Sequence, residues 1–149
     1  MIRNTLYDKD NKPSAREKKA MAAFLHEHME EFRDNKDDIA KAIDYAVCDT
    51  PSPGGFVLMT SQESTMAGVA VVTKTGMTGF VPENLLVYIA THKEHRGSGI
   101  GKNMMQLILC KAEGNLALHV EPHNPAKNWY EKLGFTNKYV ELRYIRQND

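Results

Sequence analysis

An apolar run, Val87 to Thr91, leads through His92-Lys93-Glu94-His95 into Arg96-Gly97-Ser98-Gly99-Ile100-Gly101-Lys102, and an amphipathic run starts at Asn103. Glycines at alternate positions let a backbone approach an anion closely, and the first turn of a following helix aims unpaired N–H groups and its positive dipole end at the same point. Arg96 and Lys102 bracket the turn with fixed positive charge, and Ser98 adds a hydroxyl. The chemistry so encoded is phosphate binding. Two familiar phosphate loops do not fit the spacing. A Walker loop needs Ser or Thr after Gly-Lys, where this chain has Asn103, and a glycine where it has Arg96. A dinucleotide-binding turn needs a third glycine at the position of Lys102. A domain for ATP or GTP is thereby disfavoured.

The remaining pattern, Arg96-Gly97-Ser98-Gly99-Ile100-Gly101 after a strand, resembles the acyl-CoA loop of the GNAT family of N-acetyltransferases. A second stretch, Asn124-Pro125-Ala126-Lys127-Asn128-Trp129-Tyr130-Glu131-Lys132-Leu133-Gly134-Phe135, is similar to that family's second signature, in which the tyrosine lies near the thioester sulfur. The resemblance spans residues 55–145 in outline. It implies an α/β fold of the α+β kind, with a mixed, mostly antiparallel central sheet flanked by helices, and one acetyltransferase domain over residues 1–149. It also implies transfer of an acetyl group from acetyl-CoA to a primary amine by direct attack in a ternary complex, CoA being the product. The alternative is a catalytically silent CoA-binding sensor or interaction module.

That reaction makes three demands. The donor must be held: the pyrophosphate on the N–H groups of Gly97 to Lys102, Ser98, Gly99 and Gly101 among them, with Arg96 beside them, and the amide-like pantetheine arm along the backbone of Ile89, Ala90 and Thr91 like an added strand. In the family the sheet splays there. The amine must be neutral, since an alkylammonium with a pKa of about 10.4 has no lone pair at neutral pH. Glu83, thirteen residues before Arg96, has the spacing of the family's glutamate base. It is equally readable as a solvated residue where a strand begins. The departing thiolate must be stabilised, and the resemblance gives that task to Tyr130 as a proton or hydrogen-bond donor and as a cofactor contact. Asn124 either caps the short helix that follows or reaches the cofactor. Ile100 is expected to point into the core.

The elements that must position these groups are legible from periodicity. Ile2 to Tyr7 reads as a strand. Ser14, with Glu17 three residues on, reads as the capped start of a helix whose Met21, Phe24, Leu25, His28 and Phe32 repeat at helical spacing. Asp37 to Cys48 reads as a second helix. Phe56 to Thr60 and Ala67 to Thr73 form a hairpin pattern around the polar turn Ser61 to Thr65. Glu83 to Thr91 is the next strand, followed by a helix from Ile100 to Lys111, a strand from Leu116 to Val120, a short helix from Ala126 to Leu133 stopped by a left-handed Gly134, and a closing strand from Tyr139 to Arg146. Only the last few residues read as disordered. Fourteen residues follow Phe135, so the C-terminal hairpin is expected to be abbreviated.

Composition sets the outer limits. The chain has 149 residues, enough for one core, and 19 basic against 19 acidic side chains, which excludes a nucleic-acid surface built on bulk positive charge. It has no run long and apolar enough to span a membrane, and a polar start unlike a signal peptide. Cys48 and Cys110 lack metal-ligand spacing and fit a reducing cytoplasm, with Cys110 expected in the core. His92, His95, His119 and His123 come from neighbouring elements without ligand spacing, so no metal is expected; His92 or His95 is an alternative base. Glu27, Glu30, Glu31, Asp34, Asp37 and Asp38 form an acidic run that either draws a cationic amine or is a solvated helix face. The resemblance implies a small-molecule or peptide amine as acceptor, and either a monomer or a homodimer is expected.

Overall fold

The computed structural model describes residues 1–147, so the expected disorder of the last few residues falls partly on 148 and 149, outside the described residues. The chain divides into two compact units, Met1–His119 and Val120–Asp149. In the first unit the elements run β1 (Ile2–Tyr7), α1 (Ala15–His28), α2 (Lys36–Ala46), β2 (Gly55–Gln62), β3 (Thr65–Lys74), β4 (Asn84–Thr91), α3 (Ile100–Lys111) and β5 (Leu116–Leu118), with short 3-10 turns at Glu30–Phe32 and Lys93–His95. The second unit contributes α4 (Ala126–Lys132).

The five strands form one sheet in chain order, β1-β2-β3-β4-β5. The first three pairings are antiparallel and the last, β4 with β5, is parallel. The sheet is thus mixed and mostly antiparallel, as expected.

Local chemistry explains the boundaries. Ser14 accepts from the Glu17 N–H at 3.1 Å while Glu17 accepts from the Ser14 N–H at 2.8 Å, a complete capping box for α1. Asn35 accepts from the Asp38 N–H at 2.8 Å, which starts α2 at Lys36, one residue before the expected Asp37. The hairpin strands extend past the expected polar turn, which shrinks to Glu63 and Ser64. Both have positive φ, 50° and 65°, the backbone of the two-residue turn whose twist matches paired strands.

β3 is buried from Ala67 to Thr73 because helices cover both of its faces. On one side Met21, Leu25, Ile39 and Ile43 of α1 and α2 pack with Val57, Val69, Val71, Tyr88 and Ala90. On the other side α3 packs on β3 with Met104, Met105 and Ile108 buried. Gly68 makes that approach possible, because a Cβ there would lie 2.4 Å from the Met104 sulfur.

Three expectations are corrected. Cys110 is exposed, since the inward face of α3 is set by Ile100, Met104, Met105 and Ile108, and Cys110 lies two residues beyond that face. β5 ends at Leu118 instead of Val120. No strand forms over Tyr139–Arg146. Tyr139, Val140, Leu142 and Tyr144 are about four-fifths or more exposed there, and strand propensity without a hydrogen-bonded neighbour does not hold a strand in water.

Candidate active site

β4 is paired differently along its two edges. β3 accompanies it as far as Thr91, whereas β5 pairs only with Asn84, Leu85 and Leu86. From Val87 onward no strand among the described residues pairs with the β5-side edge of β4. The His92 N–H donates to the Ala67 carbonyl at 2.8 Å, which fixes the phase of the antiparallel ladder. By alternation Ala90 turns its backbone groups toward β3, while Ile89 and Thr91 turn theirs toward the open edge. Of the three residues expected to pair with the pantetheine arm, two present free backbone groups and Ala90 contributes a buried methyl.

The strand then enters the glycine turn. Gly97 and Gly99 have φ of +83° and +89°, the left-handed region that side chains disfavour, and nothing lies within 4 Å of where a Cβ would stand at either. Glycine is therefore present here for backbone shape, with open space left on the loop surface. Gly99 caps α3 without a side-chain bond, and the first helical hydrogen bond runs from the Asn103 N–H to the Gly99 carbonyl at 3.0 Å. The N–H groups of Ile100, Gly101 and Lys102 precede it and have no partner inside the helix, so the positive end of a twelve-residue helix opens onto the loop. Ile100 itself is buried, as expected.

The side chains around the loop are divided. Lys102 is exposed and makes no ion pair with another described residue. The Ser98 hydroxyl is turned back onto the His95 carbonyl. Arg96 reaches away from the loop: its guanidinium donates to Glu30 at 2.7 Å and to the His28 carbonyl at 2.8 Å, tying the turn to the end of α1. That guanidinium holds the Glu30 carboxyl below its ordinary pKa.

Beside this tie lies an aromatic group that takes in His92 and His95, the two alternative bases. His28 and His92 meet with ring centroids 4.3 Å apart and their planes tilted by 40°, Phe24 lies 4.4 Å from His28, and His95 lies 5.4 Å from His92. Burial, then the neighbouring His92, lowers the His28 pKa. In sequence Phe24 and His28 show only as a helical phase, and His92 and His95 only as histidines of neighbouring elements. Tyr88 donates to Asp34 at 2.5 Å, joining β4 to the acidic segment between α1 and α2, and burial raises its phenol pKa.

Glu83 stands immediately before β4, at the end remote from the loop. Its carboxylate accepts from the Asn115 N–H at 2.7 Å and from the Gly79 N–H at 3.3 Å. Those backbone donors, Asn115 foremost, hold its pKa below the usual glutamate value. A carboxylate so satisfied is a weak proton acceptor.

In the second unit the Asn124 side chain accepts from the Ala126 N–H at 2.9 Å, a local turn one residue ahead of Pro125, which caps α4 without a side-chain bond. α4 ends in paired bonds from Gly134 to Glu131 and from Phe135 to Tyr130, both 3.1 Å, around a Gly134 φ of +106°. Tyr130 is half-buried between Trp129 and Phe135, at centroid distances of 5.2 and 5.9 Å, and burial pushes its phenol up to about 12. It is neutral at physiological pH and can donate. Its hydroxyl makes no hydrogen bond to another described residue. Among the described residues no three His, Cys, Asp or Glu side chains are grouped to hold a metal.

Residues 53–137, more than half of the chain, match the family described as the acetyltransferase (GNAT) domain. The chain belongs to the GNAT acetyltransferase family. Solved structures share its fold. A ribosomal-protein-alanine N-acetyltransferase from Brucella melitensis is 18% identical with a TM-score of 0.63, over 99% of this chain and 100% of that one. An aminoglycoside N-acetyltransferase solved in complex with CoA is 11% identical with a TM-score of 0.70, over 99% and 96%. A GNAT family protein from Streptococcus pneumoniae is 12% identical, also at 0.70, over 99% and 100%. No curated protein matches this GNAT chain in sequence. As a GNAT acetyltransferase it has its glycine turn and its tyrosine signature inside the matched span. No helix among its described residues is long and apolar enough to cross a membrane.

Proposed function

We propose that this GNAT acetyltransferase moves the acetyl group of acetyl-CoA to a primary amine by direct attack in a ternary complex. The observation that carries the reading is the open edge of β4 running into a left-handed glycine turn at the N-terminus of α3. Ile89 and Thr91 offer strand-like backbone partners to an amide-bearing arm, and the amides of Gly97, Gly99, Ile100, Gly101 and Lys102, with the Lys102 ammonium, offer a seat for phosphates. Ala90 shapes the wall. Arg96 holds the loop against α1, and Ser98 stiffens it from within. Asn124 braces the turn that leads into the helix carrying Tyr130.

Acetyl-CoA, when bound, supplies an activated thioester: a C–N bond forms to the amine as the C–S bond breaks. Tyr130, neutral with its pKa near 12, gives the departing sulfur a hydrogen bond or its proton. The amine's own proton goes to water, because Glu83 is already engaged by two amides. On this reading kcat/KM climbs with pH toward the pKa of the amine, without an acid limb from a carboxylate. The acceptor is a small-molecule or peptide amine. We also read residues 1–149 as one catalytic domain, since the family match runs across both units. The two free thiols fit a cytoplasmic protein, as monomer or homodimer.

Thermal unfolding with saturating acetyl-CoA, CoA, ATP and NAD in parallel tests the donor. A ligand at about 100 times its dissociation constant adds roughly 2.7 kcal/mol. Stabilisation by the two CoA species alone supports the reading; none with either removes it. Thiol release over a panel of amines then separates an enzyme from a silent CoA binder, and Tyr130→Phe is expected to cut turnover about 100-fold.

A further inference from the structure

Parallel β4 and β5 share only three residue pairs, yet the opening proposed to hold the acyl donor depends on where that pairing starts and stops. The start is fixed by two adjacent side chains. Asn84, only 3% exposed, donates its backbone N–H to the Asn115 carbonyl at 3.0 Å. Its side-chain amide donates to the Glu113 carbonyl at 2.6 Å and again to the Asn115 carbonyl at 3.2 Å. Glu83 completes the grip by accepting from the Asn115 N–H, while its second oxygen takes the Gly79 N–H from the loop before β4. Gly114, between the captured residues, has a φ of +90° that favours glycine, and a Cβ there would lie 2.4 Å from the Glu83 carboxylate and push it aside.

The captured segment, Glu113 to Asn115, is the turn that ends α3 and begins β5. One clamp therefore fixes two walls. It sets the origin of β5, which leaves β4 about 10 Å further on, at roughly 3.3 Å per residue. It also pins the C-terminal end of α3, while the phosphate seat lies at the opposite end, about 18 Å away at 1.5 Å per residue and out of reach of a local shift at the clamp.

We propose that Glu83 and Asn84 are positioning residues that set the width of the β4–β5 opening for the pantetheine arm, and that Glu83 serves the reaction through this clamp and not as its base. The inference rests on the functional reading above. It gives a reason for a glutamate at this position that proton transfer does not, since both oxygens already have partners.

The test is calorimetric binding of CoA and of adenosine 3′,5′-bisphosphate, which lacks the pantetheine arm, to the wild-type protein, Glu83→Ala, Glu83→Gln and Asn84→Ala. Steady-state kinetics on the same proteins accompany it. The clamp predicts that Glu83→Ala and Asn84→Ala weaken CoA about tenfold or more and leave the bisphosphate within about twofold, with Glu83→Gln between, because its amide oxygen still accepts from Asn115. KM for acetyl-CoA rises by more than kcat falls, and the pH profile keeps its shape. A loss shared equally by both ligands overturns the proposal, as does unchanged CoA affinity in both Glu83 variants. So does a kcat collapse in Glu83→Gln with CoA affinity intact and an altered pH profile, the mark of a base. Should Asn84→Ala fail to fold, the two Glu83 variants decide alone. If the wild-type protein itself binds no CoA, the functional reading falls first, whereas failure confined to the variants removes only the clamp.

Discussion

The end of β4 at Asn84 is bonded on both edges and gripped by side chains, whereas the end at Thr91 is bonded on one edge and runs into a turn of glycines. The closed end has a buried asparagine whose amide hydrogens are both used and a carboxylate satisfied by backbone. The open end leaves backbone N–H and C=O groups of Ile89 and Thr91 without a strand partner and α3 with its first amides unclaimed. Within one eight-residue strand the chain spends its polar side chains where geometry must be fixed and leaves its backbone exposed where a ligand can complete the sheet.

The harshest way to break this contrast is to remove the helix that serves the open end. Met104 is fully buried and fits the space above Gly68, so Met104→Ala is expected to cost about 2–5 kcal/mol in urea unfolding and to weaken CoA binding as well. A more local break is Gly99→Val. Placing a branched side chain at a φ of +89° costs roughly 1–2 kcal/mol, and CoA affinity is expected to fall about tenfold while ATP binding stays absent. Ser14→Ala sharpens the comparison by touching neither end: it removes half of the α1 capping box, costs about 1 kcal/mol, and should leave the CoA dissociation constant unchanged.

The smallest effect belongs to acid. Glu83 has its folded pKa lowered, so its contribution is complete above the ordinary glutamate value of about 4.3 and fades as pH falls below that value through the folded pKa. The stability gap between wild-type protein and Glu83→Gln should therefore close on acidification. A gap that instead widened would show that the carboxylate is not held by the amides of Asn115 and Gly79.

Much of the open end was legible in sequence because it is local. The glycine spacing, the strand before it and the helix after it lie within a few residues of one another, and backbone preference alone dictates them. The Ser14–Glu17 capping box and the Gly134 stop were legible for the same reason. The closed end was not, because Glu83 finds its partner thirty-two residues later, and no spacing rule announces which backbone amide a carboxylate will meet. Arg96 repeats the lesson: its charge is readable, but its engagement with Glu30, sixty-six residues earlier, is a product of tertiary packing. The closing strand expected at Tyr139–Arg146 rested on propensity, and propensity needs a neighbour to become a strand. Cys110 was placed in the core from the apolarity of its helix, when the phase set by Met104, Met105 and Ile108 puts it outside.

Amide hydrogen exchange of the wild-type protein with and without CoA tests the central contrast most directly. CoA is expected to slow exchange at Ile89, Thr91 and Gly97 to Lys102, and to leave Asn84 to Leu86, already bonded on both edges, unchanged. Protection spread evenly along β4, or absent from both the open edge and the glycine turn, would contradict it.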